Sequence, residues 1–111
     1  MIIDVEPTDA STIADLANQK ENLIDTQSVQ LTWIANASTL SGQLSPSTSI
    51  AFTTPNLIFV YGDETENNCV KLGVKATAFS YNTTSKVYTY TLSCDVPPIA
   101  DTVISVIFII Y

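Results

Sequence analysis

The run Val70-Lys71-Leu72-Gly73-Val74-Lys75-Ala76-Thr77-Ala78-Phe79 is followed, after the polar turn Asn82-Thr83-Thr84-Ser85, by Lys86-Val87-Tyr88-Thr89-Tyr90-Thr91-Leu92-Ser93-Cys94. In both runs apolar and polar residues alternate, the period of a strand with one face in a core and the other in water. Two such runs joined by a short polar turn form an antiparallel hairpin. A loop over 82–85 would set Phe79 opposite Tyr88 and Thr77 opposite Tyr90, and cross-strand pairs of this kind stabilise by ~0.2–1 kcal/mol each.

Working outward, Val29, Leu31 and Trp33 alternate with Gln30 and Thr32, which predicts another half-buried strand. Further strands are expected at about 38–44, 48–54 and 56–61, with Pro46 and Pro55 as punctuation. The acidic stretch Gly62-Asp63-Glu64-Thr65-Glu66-Asn67-Asn68 is too polar to bury and reads as a solvent-facing loop. Only the leading segment has helical periodicity: Ile13, Leu16, Ala17, Lys20, Leu23 and Ile24 share one face of a helix over about 10–25. The expected architecture is therefore mainly β, an antiparallel β-sandwich of immunoglobulin-like or jelly-roll kind with a short amino-terminal arm and helix. Residues 1–28 would form the arm and helix, and residues 29–111 the sandwich.

The closing strand is different from the others. Ile104, Val106, Phe108 and Ile110 point to one side, and Val103, Ser105, Ile107, Ile109 and Tyr111 to the other, so both faces are apolar. Near-continuous apolarity means that both faces are covered. The second cover is either the 10–25 helix or another subunit. The subunit is the favoured occupant, which makes Val103, Ser105, Ile107, Ile109 and Tyr111 a candidate interface. Ile13, Leu16, Lys20 and Leu23 also fit a short heptad spacing and form a candidate helix interface.

Composition removes several kinds of chemistry. There is no His, and the 4 basic residues are all Lys. Ordinary general-base catalysis near neutral pH, a Ser-His-Asp arrangement and bidentate anion clamps are thereby lost. A net charge of −7 would repel a nucleic-acid backbone. Neither an enzyme, a nucleic-acid partner nor a cofactor is expected. No apolar run is long enough for a membrane-spanning helix, and the amino terminus lacks the basic and apolar regions of a secretory signal.

The remaining candidates have modest readings. Asp63, Glu64 and Glu66 offer oxygen ligands without the order of a calcium loop, so a solvated turn is expected. Cys69 and Cys94 fall out of step across the hairpin, which favours two buried thiols over a disulfide. Trp33, Tyr61, Tyr81, Tyr88 and Tyr90 would stack sugars if exposed, but strand spacing favours core and cross-strand packing.

Charge lies in three zones: residues 1–25 hold six acids and one Lys, residues 26–62 hold none, and residues 63–111 hold five acids and three Lys. Ser and Thr together supply 11 + 15 = 26 residues. A leading Met1, an acidic arm and short helix, a Ser/Thr-rich uncharged middle and an apolar last strand resemble the small structural proteins of tailed bacteriophages, the capsid decoration and head-fibre proteins. The resemblance covers the whole chain in architecture and composition. It implies a non-enzymatic virion protein on the capsid surface, a homo-oligomer and most often a trimer, bound to the major capsid protein or another virion protein. It also implies that the arm from Met1 to Thr12, with Ile2, Ile3, Asp4, Val5, Glu6 and Pro7, docks on the shell. The alternative is a monomeric ligand- or glycan-binding, adhesive β-module.

Overall fold

A computed structural model describes residues 3–7, 25–47, 55–61 and 68–111. Among these residues seven strands run in the order β1 (Ile3–Pro7), β2 (Asp25–Trp33), β3 (Thr39–Leu44), β4 (Leu57–Tyr61), β5 (Lys75–Asn82), β6 (Val87–Ser93) and β7 (Thr102–Ile110), with one short helix, α1 (Asn68–Leu72), before β5. They form a four-stranded sheet, β1-β4-β7-β2, and a three-stranded sheet, β3-β6-β5. All pairs are antiparallel except β1 with β4. The chain is thus a β-sandwich, and its last strand sits in the interior of the larger sheet.

The two sheets meet through aromatic side chains. Phe108 of β7 stacks on Phe79 of β5 with ring centroids 6.1 Å apart, and meets Tyr90 of β6 at 5.3 Å and Phe59 of β4 at 5.5 Å. Around these rings Trp33, Leu57, Leu92, Ile104, Val106 and Ile110 are buried in one continuous core. The indole of Trp33 keeps its hydrogen bond by donating from Nε1 to Ala37 O at 2.7 Å, as a buried Trp must.

The hairpin forms as expected, but its register differs by two. Phe79 pairs with Tyr90 and Tyr81 with Tyr88, leaving Thr83–Lys86 as the loop. Asn82 is the reason: its Oδ1 accepts the N–H groups of Thr84 at 2.9 Å and Ser85 at 3.0 Å, which keeps Asn82 as the last strand residue. Lys86 closes the loop at φ 58°, and its N–H donates to Asn82 O at 2.7 Å. A shift of two by itself turns no side chain over, but from Ala78 onward the faces of β5 are exchanged relative to strict alternation, with Ala78 exposed and Phe79 in the core. Phe79 still stacks on Tyr88, now as a diagonal neighbour, with centroids 5.3 Å apart. Nearer the start of β5 the ladder slips between Ala76 and Ala78. That bulge at Thr77 lets both Ala76 and Phe79, three residues apart, face the core.

Residues 68–72 correct the expected extent of the hairpin. Val70 and Leu72 were read as the start of a strand, whereas they lie in α1. Gly73 ends the helix at φ 65°; its N–H donates to Val70 O at 3.2 Å, and that of Val74 to Cys69 O at 3.0 Å. This is a Schellman closure with glycine in the left-handed position. Any side chain at Gly73 would also press on Asp95, whose Oδ2 lies 2.7 Å from the position of a Cβ.

The expected boundary at 28/29 falls inside β2, which begins at Asp25, and the arm residues Ile3–Pro7 are a paired strand. Ile2, the helix expected over 10–25, the strand expected over 48–54 and the acidic residues Asp63, Glu64 and Glu66 lie outside the described residues.

At the end of the sandwich where β2 starts, the Asp25 carboxylate is buried and accepts from Gln27 Nε2 at 2.9 Å, Ser47 N at 3.1 Å, Tyr88 OH at 3.2 Å and the Ser47 hydroxyl. Burial pushes this carboxyl up, but the hydrogen bonds from Ser47, Gln27 and Tyr88 together outweigh it and hold the group below its ordinary 3.8. Burial and the neighbouring Asp25 raise Tyr88 well above an ordinary phenol.

Two outcomes follow. Phe108→Ala removes the ring shared by both sheets and should cost ~3–5 kcal/mol in urea unfolding. Asp25→Asn should cost ~1–3 kcal/mol near neutral pH. Because the folded carboxyl titrates lower than the unfolded one, that advantage is complete above 3.8 and fades as pH falls through the folded value. Unfolding curves for the two proteins should therefore converge in acid; a gap that stays constant would rule out the ionised form as the stabilising one.

Candidate interaction surface

Of the five expected interface residues, four on β7 and Tyr111 just after it, all but Val103 are half-buried or buried. Ile109 is 0% exposed and Ile107 9%, and both pack with Ile58 and Val60 of β4 in a second apolar cluster flanked by Tyr111. That burial is complete within a single chain. Within one chain the apolar surface of Ile107 and Ile109 is already withdrawn from water, so these two side chains do not form the exposed apolar patch from which a covering subunit is expected. Ser105 and Tyr111 are half-buried, and only Val103 is exposed. Ile13, Leu16, Lys20 and Leu23 fall outside the described residues.

The aromatic residues weighed as a stacking platform are mostly interior. Trp33, Tyr88 and Tyr90 are buried. Tyr61 is half-buried and donates its hydroxyl to Val74 O, an arrangement in which burial, with Cys69 and Asp95 nearby, raises its pKa. Cys69 and Cys94 are both thiols, as expected; Cys69 is buried and Cys94 half-buried. Their Sγ atoms donate to Ser105 O at 3.6 Å and Ala37 O at 3.4 Å. Among the described residues no three His, Cys, Asp or Glu side chains group as metal ligands, and no helix is long and apolar enough to cross a membrane.

Exposed apolar side chains gather instead at one end of the sandwich. Ile34 follows β2, Val96 and Ile99 lie between β6 and β7, Val103 begins β7, and Val70 is on α1. The register Trp33↔Thr102 and Thr39↔Ser93 brings these segments to the same end. Ile99 is the extreme case, at 94% exposure.

Its loop, Asp95-Val96-Pro97-Pro98-Ile99-Ala100-Asp101, is held at both ends. Asp95 N and Val96 N both donate to Leu72 O, at 2.8 and 3.1 Å, and Asn36 N donates to Pro98 O at 2.7 Å. Asp101 Oδ1 accepts from Ala35 N at 2.9 Å, and Thr102 Oγ1 donates to Ala100 O at 2.9 Å. Two successive prolines remove further backbone freedom. Charged groups border the end, including Lys75 and Asp95, paired at 3.6 Å. An apolar centre with a polar rim on a rigid loop is the composition of a protein-docking surface. Pre-organisation lowers the entropy lost on binding.

Strand periodicity does not mark this loop, which lies between two alternating runs. The available signal was an Ile placed directly after two prolines. Comparison with known proteins finds no matching family model, curated protein or solved structure.

The contrast between the two apolar sites is testable by thermal melting. Ile99→Asp should leave stability within ~0.5 kcal/mol of the native chain. Ile107→Asp buries a charge without a partner and should leave the chain largely unfolded.

Proposed function

We propose that the protein is a non-enzymatic structural subunit that attaches to a larger protein assembly through the loop end carrying Ile34, Val96, Ile99 and Val103. The exposure of Ile99 on a loop fixed at both ends carries this reading. A nearly bare isoleucine contributes nothing to the stability of its own chain, and its transfer from water into a partner's pocket is worth ~1.5–3 kcal/mol. The absence of His and Arg from the sequence supports a role without acid–base or anion-clamping chemistry.

The setting we favour is a virion, with the chain as a capsid decoration or head-fibre subunit. It rests on the architectural and compositional resemblance described above. In this setting the loop end is a docking surface independent of β1, whose residues already pair with β4. The adhesive-module reading has less support, because Trp33, Tyr88 and Tyr90 present no ring face to solvent.

Phage heads lacking this protein should co-sediment with it when the purified chain is added. The double substitution Val96→Asp, Ile99→Asp should weaken that association by more than ~10-fold without lowering the melting temperature. Undiminished co-sedimentation of the double variant would remove the loop end as the docking site. Absence of the chain from purified particles by mass spectrometry would remove the virion setting.

A further inference from the structure

The two lateral sides of the sandwich are built differently. On one side the edge strands are β1 and β5, which lie against each other. β1 carries Asp4, Glu6 and Pro7, while β5 carries Lys75 and the bulge at Thr77. Charge, proline and bulges are the devices that keep sheet edges from pairing with another chain. The edge strands on the other side are β2 and β3, which lack proline and bulge and whose one charged residue is the buried Asp25. Thr26 to Trp33 and Thr39 to Leu44 contain no charged residue and no proline, and both ladders run without a shift.

β2 pairs along its nine residues with β7 alone. Among the described residues no backbone hydrogen bond reaches its outer edge between Thr26 and Thr32. Its outward side chains Thr26, Ser28, Gln30 and Thr32 are exposed, while Val29 and Leu31, with Leu40 of β3, are half-buried against the core. Among the described residues, therefore, the edge offers donors and acceptors that no other strand takes, beside apolar surface that a further strand would cover.

We infer that β2 is a docking edge for a second copy of this chain, paired antiparallel with the other β2 about a two-fold axis at Val29. Charge selects the occupant. Two chains of net charge −7 repel each other, and all the acids lie in residues 1–25 and 63–111. β2 against β2 is an approach in which the ladder from Thr26 to Thr32 opposes no like charges. The one acid of β2, Asp25, is buried and already bonded to Ser47, Gln27 and Tyr88. With Val29 opposite Val29, Ser28 faces Gln30 and Gln27 faces Leu31. Each side chain then keeps the face it has in one chain, so the contact is self-complementary. The two four-stranded sheets join into one continuous sheet across the axis. This surface is separate from the loop end and does not depend on the docking role proposed for it.

Size-exclusion chromatography with light scattering on the full chain should give twice the 12.0 kDa chain mass as concentration rises. In hydrogen exchange, amides between Thr26 and Thr32 should gain protection over the same range. Ser28→Lys with Gln30→Lys places lysines on both sides of the axis and should weaken the dimer at least ~10-fold. Net charge becomes −7 + 2 = −5, which lowers overall repulsion, so loss of the dimer reports on the edge itself. Thr77→Lys with Ser80→Lys, on exposed positions of β5, should leave the dimer intact, as should Val96→Asp with Ile99→Asp. A single-chain mass for the native protein up to ~1 mM, a three-chain mass, or an undiminished dimer in the Ser28/Gln30 variant would each overturn the inference. If that variant loses its β-sheet signal, exchange in the native chain decides: protection that rises with concentration along β2 supports the edge, and protection that rises elsewhere or nowhere refutes it.

Discussion

Everything in this fold is arranged around the burial of both faces of β7. Ile104, Val106, Phe108 and Ile110 enter the core between the sheets, and Ile107 and Ile109 are buried on the opposite face with Ile58 and Val60. A strand with that composition cannot lie at an edge, where one face and one row of backbone groups would meet water. It is placed between β4 and β2, and Phe108 makes ring contacts with β4, β5 and β6. Each fully buried Ile contributes ~1.5–3 kcal/mol, a large share of the ~5–15 kcal/mol net stability of an ordinary domain.

With the apolar surface of β7 used inside the chain, the features that face outward are of two kinds. At one end, a proline-stiffened loop holds Ile99 in water, fixed by backbone bonds to Leu72 and Asn36 and by the Asp101 carboxylate. Along one side, β2 and β3 present an uncharged edge, whereas β1 and β5 on the other carry acids, a lysine, a proline and a bulge. Both features are polarised, and a molecule polarised in this way is suited to joining others in fixed directions.

Much of the local structure was legible because it depends on neighbouring residues. Alternation at 86–92 identified β6, and the β-branched run at 103–110 identified β7. Where two local rules competed, reading by period alone failed. Val70 and Leu72 alternate as in a strand, but Gly73 closes a helical turn there, and the left-handed φ of 65° that it supplies is available to few other residues. The hairpin register moved by two because the Asn82 side chain captured two turn amides. That choice is made by one carbonyl oxygen and leaves the hydrophobic pattern unchanged. The candidate site was less legible: apolarity on both faces of β7 was visible, but not that Ile107 and Ile109 would be buried within one chain.

The sequence by itself determined the class of the fold, the inward and outward faces of strands that run without a bulge, such as β2 and β6, and the loss of histidine and arginine chemistry. These follow from residue type and period, which need no knowledge of distant partners. Tertiary structure alone decided which strands became neighbours, which edges were left open and which isoleucine remained in water. Ile99 and Ile109 are the same residue ten positions apart, one 94% exposed and the other 0%. Only the packing of segments remote in the chain separates them, since burial belongs to the surroundings of a side chain and not to the side chain itself.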